Sequence, residues 1–84
     1  MDECIDIDLQ YTESAFRHGI SDIEIEECLF NEDTPPLILR SKQDASVKIA
    51  LGQSCSGQYL EIAFRVVKKN VWCVFHAMPM READ

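Results

Sequence analysis

Apolar and polar residues alternate from Cys4 to Gln10, with Ile5, Ile7 and Leu9 set against Asp6, Asp8 and Gln10. That period of two predicts a strand, and its aspartates favour a sheet edge over a buried position. The spacing then becomes helical. Thr12 is placed to cap a short helix over about residues 13–18, with Tyr11 and Phe16 as its hydrophobic staple. Gly19 can adopt the left-handed conformation that closes a helix. Ser21 can cap the next one, with Glu24 three positions on as the reciprocal partner and Ile20 and Ile25 as the staple. This second helix is expected roughly from Asp22 to Phe30. Ile25, Cys28 and Leu29 form its apolar stripe, while Glu24 and Glu27 face water. Asp22 and Glu24 sit where the helix dipole favours negative charge. Asn31 to Pro36 reads as a loop, and four strand patterns follow at 37–41, 46–52, 58–66 and 71–78.

The connections between these strands are too short for anything but antiparallel neighbours, hence a meander. With Lys68-Lys69 at the tip of the last hairpin, Phe64 faces Cys73, Ile62 faces Phe75 and Leu60 faces Ala77. With Ser54 to Gly57 at the preceding tip, Val47, Ile49 and Leu51 join the same side. All these apolar residues then share one face, which the helices are expected to cover with Phe16, Ile25, Cys28 and Leu29. The other face carries Lys48, Tyr59, Glu61, Arg65, Trp72, Val74, His76 and Met78. The expected architecture is α+β, with two short helices packed on one face of a four- to five-stranded antiparallel sheet.

Composition narrows this picture without changing it. The 84 residues make one domain, 1–84, and an apolar content of 46% argues against disorder. A chain this short has a thin core. No apolar run approaches a membrane span, and no basic start followed by an apolar run marks a signal peptide. Four scattered cysteines, Cys4, Cys28, Cys55 and Cys73, show no metal-ligand spacing. They read as free thiols of a cytoplasmic protein, with two disulfides in a secreted domain as the other reading. No cofactor is expected. The net charge of −7 is uneven: residues 1–36 hold eleven acids and one base, residues 37–84 four acids and seven bases. The second half can therefore present a basic surface to RNA although the whole chain is acidic.

The polar face supplies the candidate chemistry. In the assumed register Glu61 lies across from His76 and Arg65 across from Trp72, close enough to touch. Three readings stand side by side. One is an exposed cross-strand ion pair. Another is a general acid/base pair in which Glu61 orients His76, Lys48, Arg65 and Arg81 hold phosphates, and Tyr59 or Trp72 stacks a base. That arrangement suits RNA cleavage by the 2′-hydroxyl, which needs proton transfer and phosphate stabilisation. The third is a partner-binding face, since Trp72, Val74 and Met78 are apolar for a merely wet surface. His18, expected in the last turn of the first helix, reads as a structural residue that meets the helix carbonyls. Gly19, Ser21 and Glu24 are structural as well.

The ordered pieces Arg17-His18-Gly19-Ile20-Ser21, Leu51-Gly52, Gly57-x-Tyr59-Leu60-Glu61-Ile62 and His76-Ala77-Met78-Pro79-Met80-Arg81 resemble the BrnT family. These are RelE-fold ribonuclease toxins of bacterial type II toxin–antitoxin modules. The resemblance runs from about Arg17 to Arg81. It implies a RelE/BrnT-like two-layer fold, metal-independent endoribonuclease activity, growth inhibition and neutralisation by a cognate DNA-binding antitoxin. His18 matches the family's junction histidine, and His76 stands at the serine of its final strand. Met78 and Tyr59 stand where the family pattern has arginines, and Arg81 is the cation nearest the first of these. The function expected from this resemblance is the toxin component of such a module. His76, Glu61 and Arg65 are its catalytic candidates, and Lys48, Tyr59, Trp72 and Arg81 its RNA-binding ones. A non-catalytic interaction domain of the same fold is the alternative.

Overall fold

A computed structural model describes residues 7–80, and the alternating residues Cys4 to Asp6, together with Arg81, lie outside them. Strand β1 (Asp8–Tyr11) leads into a single 3₁₀ turn (Glu13–Phe16) and then helix α1 (Asp22–Leu29). Strands β2 (Leu37–Arg40), β3 (Val47–Gln53), β4 (Tyr59–Lys68) and β5 (Val71–Pro79) complete one five-stranded sheet in the order β1-β5-β4-β3-β2. The architecture is α+β, as the sequence pattern implied. The sheet is mixed, however, and there is one α-helix rather than two.

The first predicted helix shrinks to a turn because the chain has no room for more. Thr12 is extended and Gly19 is left-handed at φ +81°. Between them the N–H groups of Ala15, Arg17 and Gly19 each bond three residues back, to Thr12, Ser14 and Phe16. Such bonds make a tight turn rather than an α-helix. The Thr12 hydroxyl does not cap it, though the Tyr11 and Phe16 rings do meet, with centroids 5.3 Å apart. The Ser14 hydroxyl donates to the Phe75 carbonyl at 2.6 Å and pins the turn to β5.

Helix α1 starts as its sequence specifies. The Glu24 N–H donates to Ser21 Oγ at 3.2 Å, and the Ser21 N–H donates to Glu24 Oε1 at 3.1 Å. Ile25, Cys28 and Leu29 are buried against the sheet. Glu27 accepts the Cys55 N–H at 3.1 Å, so it ties the helix to the β3–β4 loop rather than facing only water. Asn31 makes the following loop a rigid joint. Its Oδ1 accepts from the Asp33 and Thr34 N–H groups, and its Nδ2 donates to the Gln53 carbonyl. Gly52 lies where a Cβ would come within 2.9 Å of Pro36 Cβ and 3.0 Å of Cys28 Sγ, so the loop and helix can close on β3 only over a glycine.

Strand β1 runs parallel to β5, with Leu9 beside Trp72 and Tyr11 beside Val74. The short-connection argument for antiparallel neighbours does not reach β1, because nearly the whole chain separates it from β5. The other pairs are antiparallel but shifted from the expected register. Leu51 pairs with Glu61 and Ala50 with Ile62, one residue off. Along β5, Ile62 pairs with Ala77 and Ala63 with His76, but Phe64 pairs with Val74, leaving Phe75 as an extra residue. A bulge of this kind reverses the side on which the remainder of the strand presents its side chains. A second irregularity near Val67 precedes the tip, where Asn70 takes φ +66°.

The helix-covered face therefore carries Ala50, Leu60, Ile62, Phe64, Val74 and Ala77, all nearly inaccessible. Trp72 lies on it too, stacked on Phe64 at 4.5 Å and on Phe30 at 5.9 Å. Phe16, expected in this layer, stays substantially exposed. Val47, Ile49 and Leu51 were expected beneath the helices. They lie on the opposite, open face with Glu61 and Arg65, because the β3–β4 turn closes one residue later than assumed.

Candidate functional site

The outer edge of β5 changes character half-way along. Strand β1 covers it from Val71 to Val74. Beyond that point the 3₁₀ turn takes over, held by Ser14 on the Phe75 carbonyl. Two histidines meet at this handover. The His18 ring, in the turn that Gly19 reverses, stands 5.6 Å from the His76 ring at an interplanar angle of 78°. His18 is exposed and His76 half-buried, so solvent and a ligand can reach the pair. The last-turn role expected for His18 has no helix to act on, because the 3₁₀ turn ends at Phe16.

Glu61 shares the open face with His76, one position further along the ladder: it pairs with Met78, while His76 pairs with Ala63. The two stand diagonally rather than directly opposite, and a long side chain spans such a diagonal. Among the described residues the one ion pair is Arg65 with Asp44, at 3.5 Å, so Glu61 and His76 do not form the cross-strand salt bridge that one sequence reading gave them.

Arg65 is on the open face opposite Cys73, not opposite Trp72. Its guanidinium lies 4.9 Å from the centre of the Phe75 ring. The Ser46 side chain and backbone donate to Asp44 and hold its carboxyl below the usual carboxylate range, with Arg65 adding to the effect. Tyr59 lies on the open face and is exposed. Its carbonyl accepts the Met80 N–H at 2.9 Å, which brings the end of β5 beside it.

Two expected members of the site are elsewhere. Trp72 lies half-buried on the covered face, stacked on Phe64 and Phe30, and so on the side of the sheet away from Glu61 and His76. Lys48 pairs with Phe64 and Arg40, which puts it on the covered side. Both corrections come from the shifted register. The structure brings His18 onto His76, sets Glu61 and Arg65 on the same face one step to either side of it, leaves Tyr59 a step beyond Glu61, and removes Lys48 and Trp72. Gly19, Ser21 and Glu24 hold the structural positions read for them.

Much of the rest of the open face is apolar. Leu37, Leu39, Ile49, Leu51, Phe75 and Met78 lie on it, with Leu37 59% and Leu39 43% exposed. A polar hollow beside Asn31, Asp33, Ser54 and Cys55 contains none of the histidines. No cluster of three or more metal-ligating side chains occurs among the described residues, and no helix among them is long and apolar enough to cross a membrane. Comparison with family models, curated proteins and solved structures finds no match to this chain.

Proposed function

We propose that this chain is the toxin of a bacterial type II toxin–antitoxin module, a cytoplasmic endoribonuclease that uses histidine acid–base chemistry and no metal ion. The observation that carries the reading is the His18–His76 pair at the rim of the open face. Two imidazoles side by side can divide the proton transfers of RNA cleavage between them. The neutral ring of His76 takes the proton of a 2′-hydroxyl, whose oxygen bonds to the adjacent phosphorus. The bond from phosphorus to the 5′-oxygen breaks, and that oxygen takes a proton from the protonated ring of His18. The products are a 2′,3′-cyclic phosphate and a 5′-hydroxyl end. Glu61 orients His76, Arg65 and Arg81 attract the phosphates, and Tyr59 stacks a base. The resemblance to the BrnT family points the same way, and the antitoxin finds its seat on the apolar part of the open face.

A second reading has its own observation. An open sheet face with Leu37, Leu39, Leu51 and Met78 on it suits a protein partner whether or not the histidines act. On this reading the chain is a non-catalytic interaction domain. Induced expression in a bacterial host separates the two. Growth arrest that disappears with His76→Ala and with Glu61→Ala is the outcome expected of the toxin. Unimpaired growth with the intact chain at high level, and intact cellular RNA, would leave the interaction domain.

A further inference from the structure

Strand β2 is one of the two edge strands of the sheet, and all four of its residues are exposed. Edge strands are ordinarily protected by charges, bulges or a covering segment. This one reads Leu-Ile-Leu-Arg and pairs with β3 without a bulge. The direction of its free hydrogen-bonding groups follows from one contact. The Ser41 N–H donates to the Val47 carbonyl at 3.0 Å, so Ser41 faces β3. Backbone groups alternate sides along an antiparallel strand. Leu37 and Leu39 therefore face β3 as well, and the N–H and C=O groups of Ile38 and Arg40 point outward.

The flanks of β2 are oppositely charged. Glu32 and Asp33 precede it, and Arg40 and Lys42 end and follow it. A strand that is acidic before and basic after complements a copy of itself running the other way. We propose that two copies of this chain associate through β2, antiparallel and centred on Ile38, to make one ten-stranded sheet. In that register Ile38 exchanges both hydrogen bonds with the second copy's Ile38. Each Arg40 N–H donates to the second copy's Pro36 carbonyl, and Pro36 has no N–H to leave unpaired. Leu37 lies against the second copy's Leu39 on the open face. Lys42 comes level with the second copy's Thr34, next to its Asp33. Centring on Arg40 instead would set two guanidinium groups together, and centring on Leu39 would set Ile38 against Arg40.

This association does not rest on the ribonuclease reading, and its test uses none of the residues assigned to that site. Sedimentation velocity over a range of concentrations should show the intact chain at twice its single-chain mass. Arg40→Glu/Lys42→Glu makes both flanks acidic, and Glu32→Lys/Asp33→Lys makes both basic. Each variant alone should run as a single chain with unchanged circular dichroism, associating at least tenfold more weakly. An equal mixture of the two should return to the doubled mass. The backbone amides at positions 38 and 40 should exchange slowly with solvent in the intact chain and quickly in either variant. A single-chain mass at every concentration, or a doubled species indifferent to both variants, would overturn the proposal. So would fast exchange at Ile38 and Arg40 in a chain of doubled mass, which would put the contact elsewhere.

Discussion

Cys28 shows how much a single buried position governs in a core this small. Its side chain is wholly inaccessible, and burial pushes the thiol up to about 11 from an ordinary value of 9.0. The folded state thus holds the proton more tightly than the unfolded one. The stability that follows is fully present below pH 9 and is lost as the pH rises through 11. Denaturation midpoints across that range should fall more steeply for the intact chain than for Cys28→Ala. Trp72 is the chain's one tryptophan, and its place in the core makes it a direct reporter. Trp72→Ala should cost about 3 kcal/mol of stability through the packing lost against Phe64 and Phe30. Its effect on RNA cleavage should be no greater than that loss of folded protein explains. Denaturant titration by circular dichroism measures the first, and cleavage per folded molecule the second. From the sequence, Cys28 and Leu29 were legible as core because their helix repeat is regular. Trp72 was not, because its side depends on a bulge that no local pattern of residues announces.

The elements differ in how far local sequence decides them. Helix α1 was legible almost to its ends, because Ser21 and Glu24 satisfy its first backbone donors by themselves and need no tertiary help. Ser21→Ala should accordingly cost about 1 kcal/mol, read from the shift of the denaturation midpoint. Strands β2 to β5 were also legible, to within a residue or two. Their pairing was not, since one residue more in a turn moves a whole strand from one face to the other. The β3–β4 turn closes on Gln53 and Tyr59 rather than one residue earlier, and Val47, Ile49 and Leu51 change face with it. On β5 the extra residue Phe75 shifts the register again, so Val74 and His76, two apart, lie on opposite faces. His76 kept the face assigned to it because its half of β5 is displaced by two residues from the assumed pairing with β4, and a displacement of two preserves the face. Val74 and Trp72 lie beyond the bulge and did not.

At the scale of the whole molecule, the covered face supplies stability and the open face and its rim are left for contact. The candidate site exists only through long-range pairing. His18 and His76 come within reach because β1 docks parallel on β5 and the 3₁₀ turn finishes the edge that β1 leaves free. Nothing in the neighbourhood of His18 in sequence signals this beyond Gly19, whose positive φ turns the chain. Two of the cations expected to bind phosphate are reduced in that role, Lys48 by its face and Arg65 by its hold on Asp44. Proton transfer by the paired imidazoles is thus asked to supply more of the catalysis than phosphate binding. The most direct test is the end chemistry of a defined RNA cut by the purified chain. Cleavage should leave a 2′,3′-cyclic phosphate and a 5′-hydroxyl, and His18→Ala and His76→Ala should each slow it by about 10²–10⁴-fold with unchanged circular dichroism. Undiminished cleavage without either histidine, or products ending in a 5′-phosphate, would contradict the assignment of the histidine pair.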